Sequence, residues 1–185
     1  MKTIRDLCRD FEYEVLAGTM ERSFSEFVTD NRKLIKDCVY VCIKGANFDG
    51  HSCVAQAAES GAALIVVERS LDDPELPEGA KDSTIIRVAS TRAAMAHIAC
   101  AYYDYPADKL TTIGITGTKG KTTTTYLIRS ILEQSGRKVG LIGTIETIIG
   151  DVHTPALNTT PDSPLMQKLL REIVDNGCDT VVMEV

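Results

Sequence analysis

The sequence predicts an α/β protein in two domains: a small α/β domain over residues 1–108, then part of a parallel-sheet domain with a P-loop-type turn over residues 109–185. Three observations carry this. Short β-branched runs alternate with alanine-rich or amphipathic segments, the order that builds parallel sheets covered by helices. Tyr105-Pro106-Ala107-Asp108 interrupts that order and reads as the linker. A glycine-rich run sits between a strand pattern and a helix pattern.

The elements follow in order. Ile4, Leu7 and Cys8 have the spacing of a short helix, and Phe24 to Val28 is an apolar-polar stretch. Val39 to Ile43 reads as a strand, Asp49-Gly50 as a turn, and His51 to Ser60 as a helix with Gly61 at its C-cap. Ala63–Val67 and Thr84–Val88 are strands, separated by a surface loop at 72–79. Ser90 caps a helix carrying Met95, Ile98 and Tyr102. After the linker, Thr111 to Thr116 is a strand, Thr122 to Gln134 an amphipathic helix, and Lys138 to Ile142 a strand. Ile145 to Ile149 is either strand or loop, and 151–161 is expected to be irregular. Asp162 or Ser163 caps a helix that Gly177 ends, with Pro161 at its start. Thr180 to Val185 has a buried-strand pattern with no turn after it. It reads as a strand cut short, so the chain is expected to be a piece of something longer and inactive by itself.

Composition narrows the function classes. Hydrophobic residues make up 44% and charged residues 25%, an ordinary globular balance. A net charge of −6 with scattered Lys and Arg argues against a nucleic-acid partner. No apolar run nears the ~20 residues needed to cross a bilayer, and the N-terminus has no apolar signal core. The expectation is a cytoplasmic protein without a membrane partner, acting as a monomer. Cysteines 8, 38, 42, 53, 100 and 178 form no C-x-x-C pair and read as small buried hydrophobes. His51, His97 and His153 have no metal-ligand spacing.

Gly114-Ile-Thr-Gly-Thr-Lys-Gly-Lys-Thr-Thr-Thr124 is the most informative run. Glycines let backbone N–H groups close around an anion, and the following helix points the positive end of its dipole at the same place. Lys121 can reach terminal phosphates, and the Thr122 hydroxyl is placed for Mg²⁺. The loop is the short form Gly117-x-x-Gly120-Lys121-Thr122, with Ile115 where the usual pattern has its first glycine. Glu184 lies in an apolar strand, where a carboxylate is buried only when paired or metal-bound. At the C-terminal end of a parallel strand it can hold Mg²⁺ directly or through water. Thr29-Asp30-Asn31-Arg32 and Gly45 to His51 flank a buried strand; they read either as ligand-holding loops or as ordinary turns, with Arg32 on Asp30. Asn158-Thr159-Thr160-Pro161 reads either as a cluster of hydrogen-bonding side chains or as the approach to a helix.

Together these segments resemble the Mur ligase family of peptidoglycan synthesis. Thr29 to Arg32, Asp49-Gly50-His51 and Gly61-Ala62-Ala63 resemble its UDP-binding N-terminal domain, and Gly117 to Thr123 its ATP loop. Met183-Glu184-Val185 resembles the start of its Met-Glu-Val-Ser-Ser-His motif. The resemblance implies ATP and Mg²⁺ as cofactors, held by Gly117, Thr118, Lys119, Gly120, Lys121, Thr122 and Thr123, with Thr122 and Glu184 on the metal and Lys121 and Glu184 catalytic. It implies UDP contacts from Thr29, Asn31, Ala46, Asn47 and Phe48, and acceptor contacts from Asn158, Thr159 and Thr160. The likeness is nearest to the branch that joins a diamino acid to UDP-MurNAc-L-Ala-D-Glu through an acyl phosphate. Two positions depart: the family usually has Asn where Lys119 stands, and Ser where Asn31 stands. The alternatives are the branch that adds D-Ala-D-Ala, folylpolyglutamate synthase (whose loop lies nearer the N-terminus), and a nucleotide-binding module without ligase chemistry.

Overall fold

The structure, a computed structural model, describes residues 2–68, 82–156 and 159–185. The loop expected at 72–79 and the acceptor contact expected from Asn158 lie outside the described residues. The chain divides into two compact units, Met1–Tyr102 and Tyr103–Val185.

The first unit contains α1 (Ile4–Leu7), β1 (Glu14–Ala17), β2 (Phe27–Val28), β3 (Val39–Val41), α2 (Val54–Glu59), β4 (Leu64–Val67), β5 (Thr84–Arg87) and α3 (Thr91–Tyr102). Its sheet runs β1-β5-β4-β3-β2. The β2, β3, β4 and β5 pairings are parallel, and β1 joins β5 antiparallel with a register shift between Val15 and Ala17. Side chains alternate between the faces of a strand. Tyr40, Ile65 and Ile85 accordingly pack with Val54, Ala57 and Ala58 of α2, while Val39, Val41, Leu64 and Val66 are buried on the opposite face. Residues 50–53 form a 3-10 turn before α2, so the helix expected from His51 begins at Val54. Ser90 caps α3 through its hydroxyl, which accepts from the Ala93 amide at 3.3 Å. Cys8, Cys38, Cys42, Cys53 and Cys178 are buried, unpaired thiols, packed as the small hydrophobes the sequence suggests.

The second unit contains β6 (Thr111–Ile115), α4 (Lys121–Gln134), β7 (Val139–Ile142), β8 (Glu146–Ile149), β9 (Val152–Pro155), α5 (Ser163–Asp175) and β10 (Thr180–Glu184). Pro106–Lys109, which overlaps the linker read from sequence at Tyr105–Asp108, forms a 3-10 turn in this unit. Its sheet runs β6-β10-β7-β8-β9, with β10 parallel to both β6 and β7. Val181 and Met183 pack on Leu170 and Ile173 of α5. Alternation therefore turns Glu184 to the other face, where α4 lies against β10 and β7. Gly140 lets α5 approach closely, since a Cβ there would lie 2.7 Å from Ile173 Cδ1.

Two expectations need correction. The stretch 151–161, expected to be irregular, contains β9, which pairs antiparallel with β8. Gly150 (φ 58°) and Asp151 form the two-residue turn between them, and glycine at the first of these positions suits a hairpin. The expected parallel sheet is present in β6, β10 and β7, and β8 and β9 extend it as an antiparallel meander. Pro161 precedes the helix rather than starting it: Asp162 is the N-cap, its carboxylate accepting from the Leu165 amide at 3.1 Å, and Pro164 lies in the first turn.

Candidate functional site

Strands β6, β7 and β10 run parallel, so their C-terminal ends meet at one edge of the second sheet. The glycine loop leaves β6, Gly143-Thr144 leaves β7, and Glu184 ends β10 opposite Ile115. Ligands of open α/β sheets bind at this edge.

The loop owes its shape to two glycines in the left-handed half of backbone space, Gly117 (φ 144°) and Gly120 (φ 78°). Gly120 is also the N-cap of α4 and contributes no side-chain acceptor to the first-turn amides. Those amides carry the positive end of the helix dipole and suit an anion. Lys121 folds back over the loop, its Nζ donating to the Gly117 carbonyl at 2.8 Å. Thr118, Lys119, Gly120 and Thr123 are exposed, and Thr122 is half-buried.

Glu184 is 1% exposed. Its Oε1 accepts from the Thr144 amide at 2.9 Å, and its Oε2 accepts from the Thr144 hydroxyl at 2.9 Å and the Thr122 hydroxyl at 3.2 Å. Burial by itself pushes such a carboxyl up. The Thr144 amide, the two hydroxyls and the Lys121 charge outweigh it and hold Glu184 below the ordinary glutamate range. The buried group is therefore an anion whose hydrogen-bond donors are all neutral. Gly143 makes room for it, because a Cβ there would lie 2.8 Å from Oε1. A carboxylate and a hydroxyl oxygen at the mouth of the glycine loop form a donor set of the kind hard cations take.

The residues expected from sequence to contact the acceptor converge on the same place in part. Thr159 Oγ1 lies 3.2 Å from Thr144 Oγ1, while Thr160 is exposed and has no contact recorded with this cluster. A neighbouring set of contacts was not foreseen: Tyr126, on α4, donates to Glu146 Oε1 at 2.6 Å, and His153 Nδ1 lies 2.8 Å from Glu146 Oε2. Burial, then the Glu146 bond, pushes the Tyr126 phenol up to about 12; Tyr126 and then His153 hold Glu146 below the usual range.

Sequence reasoning also missed Gly143 and Thr144. The signal was present: a small residue and a hydroxyl immediately follow the buried run Val139–Ile142, at the end of a strand that flanks the glycine loop. Among the described residues no group of three or more His, Cys, Asp or Glu could hold a metal, and no helix is long and apolar enough to cross a membrane.

In the first unit, the loops carrying Thr29 and Asn31 and carrying Ala46, Asn47 and Phe48 follow β2 and β3, again at the C-terminal edge of parallel strands. Thr29, Ala46, Asn47 and Phe48 are exposed, Phe48 at 52% despite its ring, and Asn31 is half-buried. Asp30 caps the turn at Asn31–Lys33 through the Arg32 amide and grips the Arg32 guanidinium, at 2.7 Å for Nη2 to Oδ2. The second loop is braced from beneath: Tyr40 OH donates to the Gly50 carbonyl at 3.2 Å, and Asp49 accepts from the His51 amide at 3.0 Å.

Residues 26–103 match the profile of the Mur ligase family catalytic domain, and residues 115–185 that of the Mur ligase middle domain. The chain is 41% identical over 182 residues to the UDP-N-acetylmuramoyl-L-alanyl-D-glutamate--2,6-diaminopimelate ligase of Clostridium tetani (strain Massachusetts / E88), covering 98% of this chain and 37% of that protein. A solved UDP-N-acetylmuramoyl-L-alanyl-D-glutamate--2,6-diaminopimelate ligase superposes with TM-score 0.76 at 20% identity, over 100% of this chain and 36% of its own. MurF ligase from Thermotoga maritima, in complex with ADP, superposes with TM-score 0.54 at 24% identity, over 86% and 31%. At these identities the structural likeness speaks to the fold. The chain spans about a third of the length of these relatives.

Proposed function

The chain belongs to the Mur ligase family, and on that premise we propose that the whole protein is an ATP-dependent ligase that joins 2,6-diaminopimelate to UDP-MurNAc-L-Ala-D-Glu in the cytoplasm, through an acyl phosphate. Residues 1–108 bind the UDP-sugar through Thr29, Asn31, Ala46, Asn47 and Phe48. Residues 109–185 hold the nucleotide and the acceptor end, the latter through Asn158, Thr159 and Thr160. The choice of diamino acid follows the name of the 41% identical relative.

One observation supports the reading above the others: the fully buried Glu184 carboxylate, 3.2 Å from the Thr122 hydroxyl and next to the glycine loop. Burying an anion among neutral donors costs several kcal/mol, and a divalent cation offsets that cost. Thr122 and Glu184 would hold Mg²⁺, which when bound neutralises charge on the transferring phosphoryl group. Loop amides from Gly117 to Thr123, with Thr118 and Lys119 beside them, hold the phosphate chain. Lys121 exchanges the Gly117 carbonyl for phosphate oxygens and stabilises the charge that develops in transfer.

Calorimetric titration of the 185-residue chain tests this. Mg²⁺·AMPPNP and UDP-MurNAc-L-Ala-D-Glu should each bind saturably, and removing Mg²⁺ should weaken the nucleotide at least tenfold. No binding of the UDP-sugar-peptide, with GTP analogues preferred over ATP analogues, would identify a nucleotide-binding module of another kind.

A further inference from the structure

Thr144 touches both halves of the proposed site, and no motif drew attention to it. Its hydroxyl lies 2.9 Å from Glu184 Oε2 and 3.2 Å from Thr159 Oγ1, while its amide fixes Glu184 Oε1 at 2.9 Å. A hydroxyl has one hydrogen to give and two lone pairs to receive with. The Thr144 hydroxyl is oriented to donate both to Glu184 Oε2 and to Thr159 Oγ1, and its single hydrogen serves one of them at a time. A charged carboxylate is the stronger acceptor, so without a cation the hydrogen rests on Glu184. The carboxylate sits close against Gly143, where a Cβ would meet Oε1 at 2.8 Å.

We propose that Thr144 is a positioning residue that joins the cation-binding carboxylate to the acceptor-binding segment, so that nucleotide–cation binding and acceptor binding strengthen each other through the Thr159–Thr144–Glu184 hydrogen-bond chain. This rests on the functional reading above. With Glu184 engaged by a cation its oxygens would receive less strongly, and Thr144 would turn its hydrogen to Thr159 and fix that hydroxyl for the acceptor. Because coupling between two ligands is reciprocal, it is measurable from either side.

The test is a thermodynamic cycle on the 185-residue chain. The affinity for UDP-MurNAc-L-Ala-D-Glu is measured with and without saturating Mg²⁺·AMPPNP, in the wild type, Thr144→Val and Thr144→Ser. Thr144→Val keeps the shape and the backbone amide but loses the hydroxyl; Thr144→Ser restores the hydroxyl. Thr144 is exposed, so both variants should fold, which circular dichroism checks. The expected result is tightening on the order of 5-fold or more in the wild type and Thr144→Ser, falling to none in Thr144→Val. Equal coupling in the wild type and Thr144→Val would overturn the relay while leaving the ligase reading intact. Loss in Thr144→Ser as deep as in Thr144→Val would overturn it too, since packing rather than the hydroxyl would then matter. A wild-type chain that binds neither probe would remove the functional reading itself, and the relay with it.

Discussion

Asp30 and Glu184 both lie where parallel strands end, yet the two units treat their acids in opposite ways. Asp30 meets Arg32 two residues away, at a surface where the guanidinium is 84% exposed, and its charge is answered locally. Glu184 is buried, has only hydroxyls and an amide as donors, and has no cation in hydrogen-bonding contact among the described residues. The first arrangement is electrostatically complete and shapes a turn. The second leaves a buried negative charge that the Lys121 ammonium favours through space but does not bond. The difference suggests which of the two edges needs a cation, and it can be tested from either side.

The largest effects should come from removing space under each edge. Gly143→Ala would drive a Cβ to 2.8 Å from Glu184 Oε1 and 3.3 Å from Leu141, displacing the carboxylate. Calorimetry should show Mg²⁺·AMPPNP affinity lost by a hundredfold or more (on the order of 3 kcal/mol), with UDP-sugar binding to the first unit retained. Gly50→Ala is the mirror experiment: its Cβ would meet the Ile43 backbone nitrogen at 2.8 Å. We expect destabilisation of about 1–3 kcal/mol and loss of UDP-sugar binding in urea-titration and binding assays, with nucleotide binding unchanged. If either variant harms both ligands equally, the division of labour between the units is wrong.

Next in size is Lys121→Ala, which removes the ammonium that now rests on the Gly117 carbonyl. Nucleotide affinity should fall about tenfold or more, an order of magnitude typical of losing one charge-assisted contact, while UDP-MurNAc-L-Ala-D-Glu affinity stays within twofold; fluorescence competition reads both. The smallest effect belongs to Asp30. The Arg32 contacts hold its carboxyl down to about 2, below its ordinary 3.8. A depressed folded-state value means the group stabilises the fold above its unfolded pKa and loses that contribution as pH falls through about 2. Urea midpoints between pH 5 and pH 2 should therefore fall slightly less in Arg32→Met than in the wild type. An identical slope would show that the pair contributes nothing, as exposed pairs often do.

Much of this was readable in the residues. The buried strands β3, β4 and β7 are apolar runs bounded by turn residues, and β10 is one that follows Gly177, so runs of apolar residues find all four. The glycine loop and the oddity of Glu184 in an apolar strand were equally plain, because both are local violations of composition. What escaped depended on distant partners. β1 is four residues with a mixed burial pattern, and only its pairing to β5 makes it a strand. β9 carries a histidine and a proline on exposed backbone and is held by the hairpin to β8. Thr144 is an unremarkable threonine until β10 brings Glu184 to it from 40 residues away.

The register shift in β1 has one more consequence. An outermost strand is a template on which another polypeptide can add itself, backbone to backbone. On one side of the first sheet the irregularity between Val15 and Ala17 breaks the even spacing such a template needs; on the other, β2 is only two residues long. Neither border offers a uniform run for a stray chain to copy, so these borders should discourage amyloid-like stacking when the protein is concentrated.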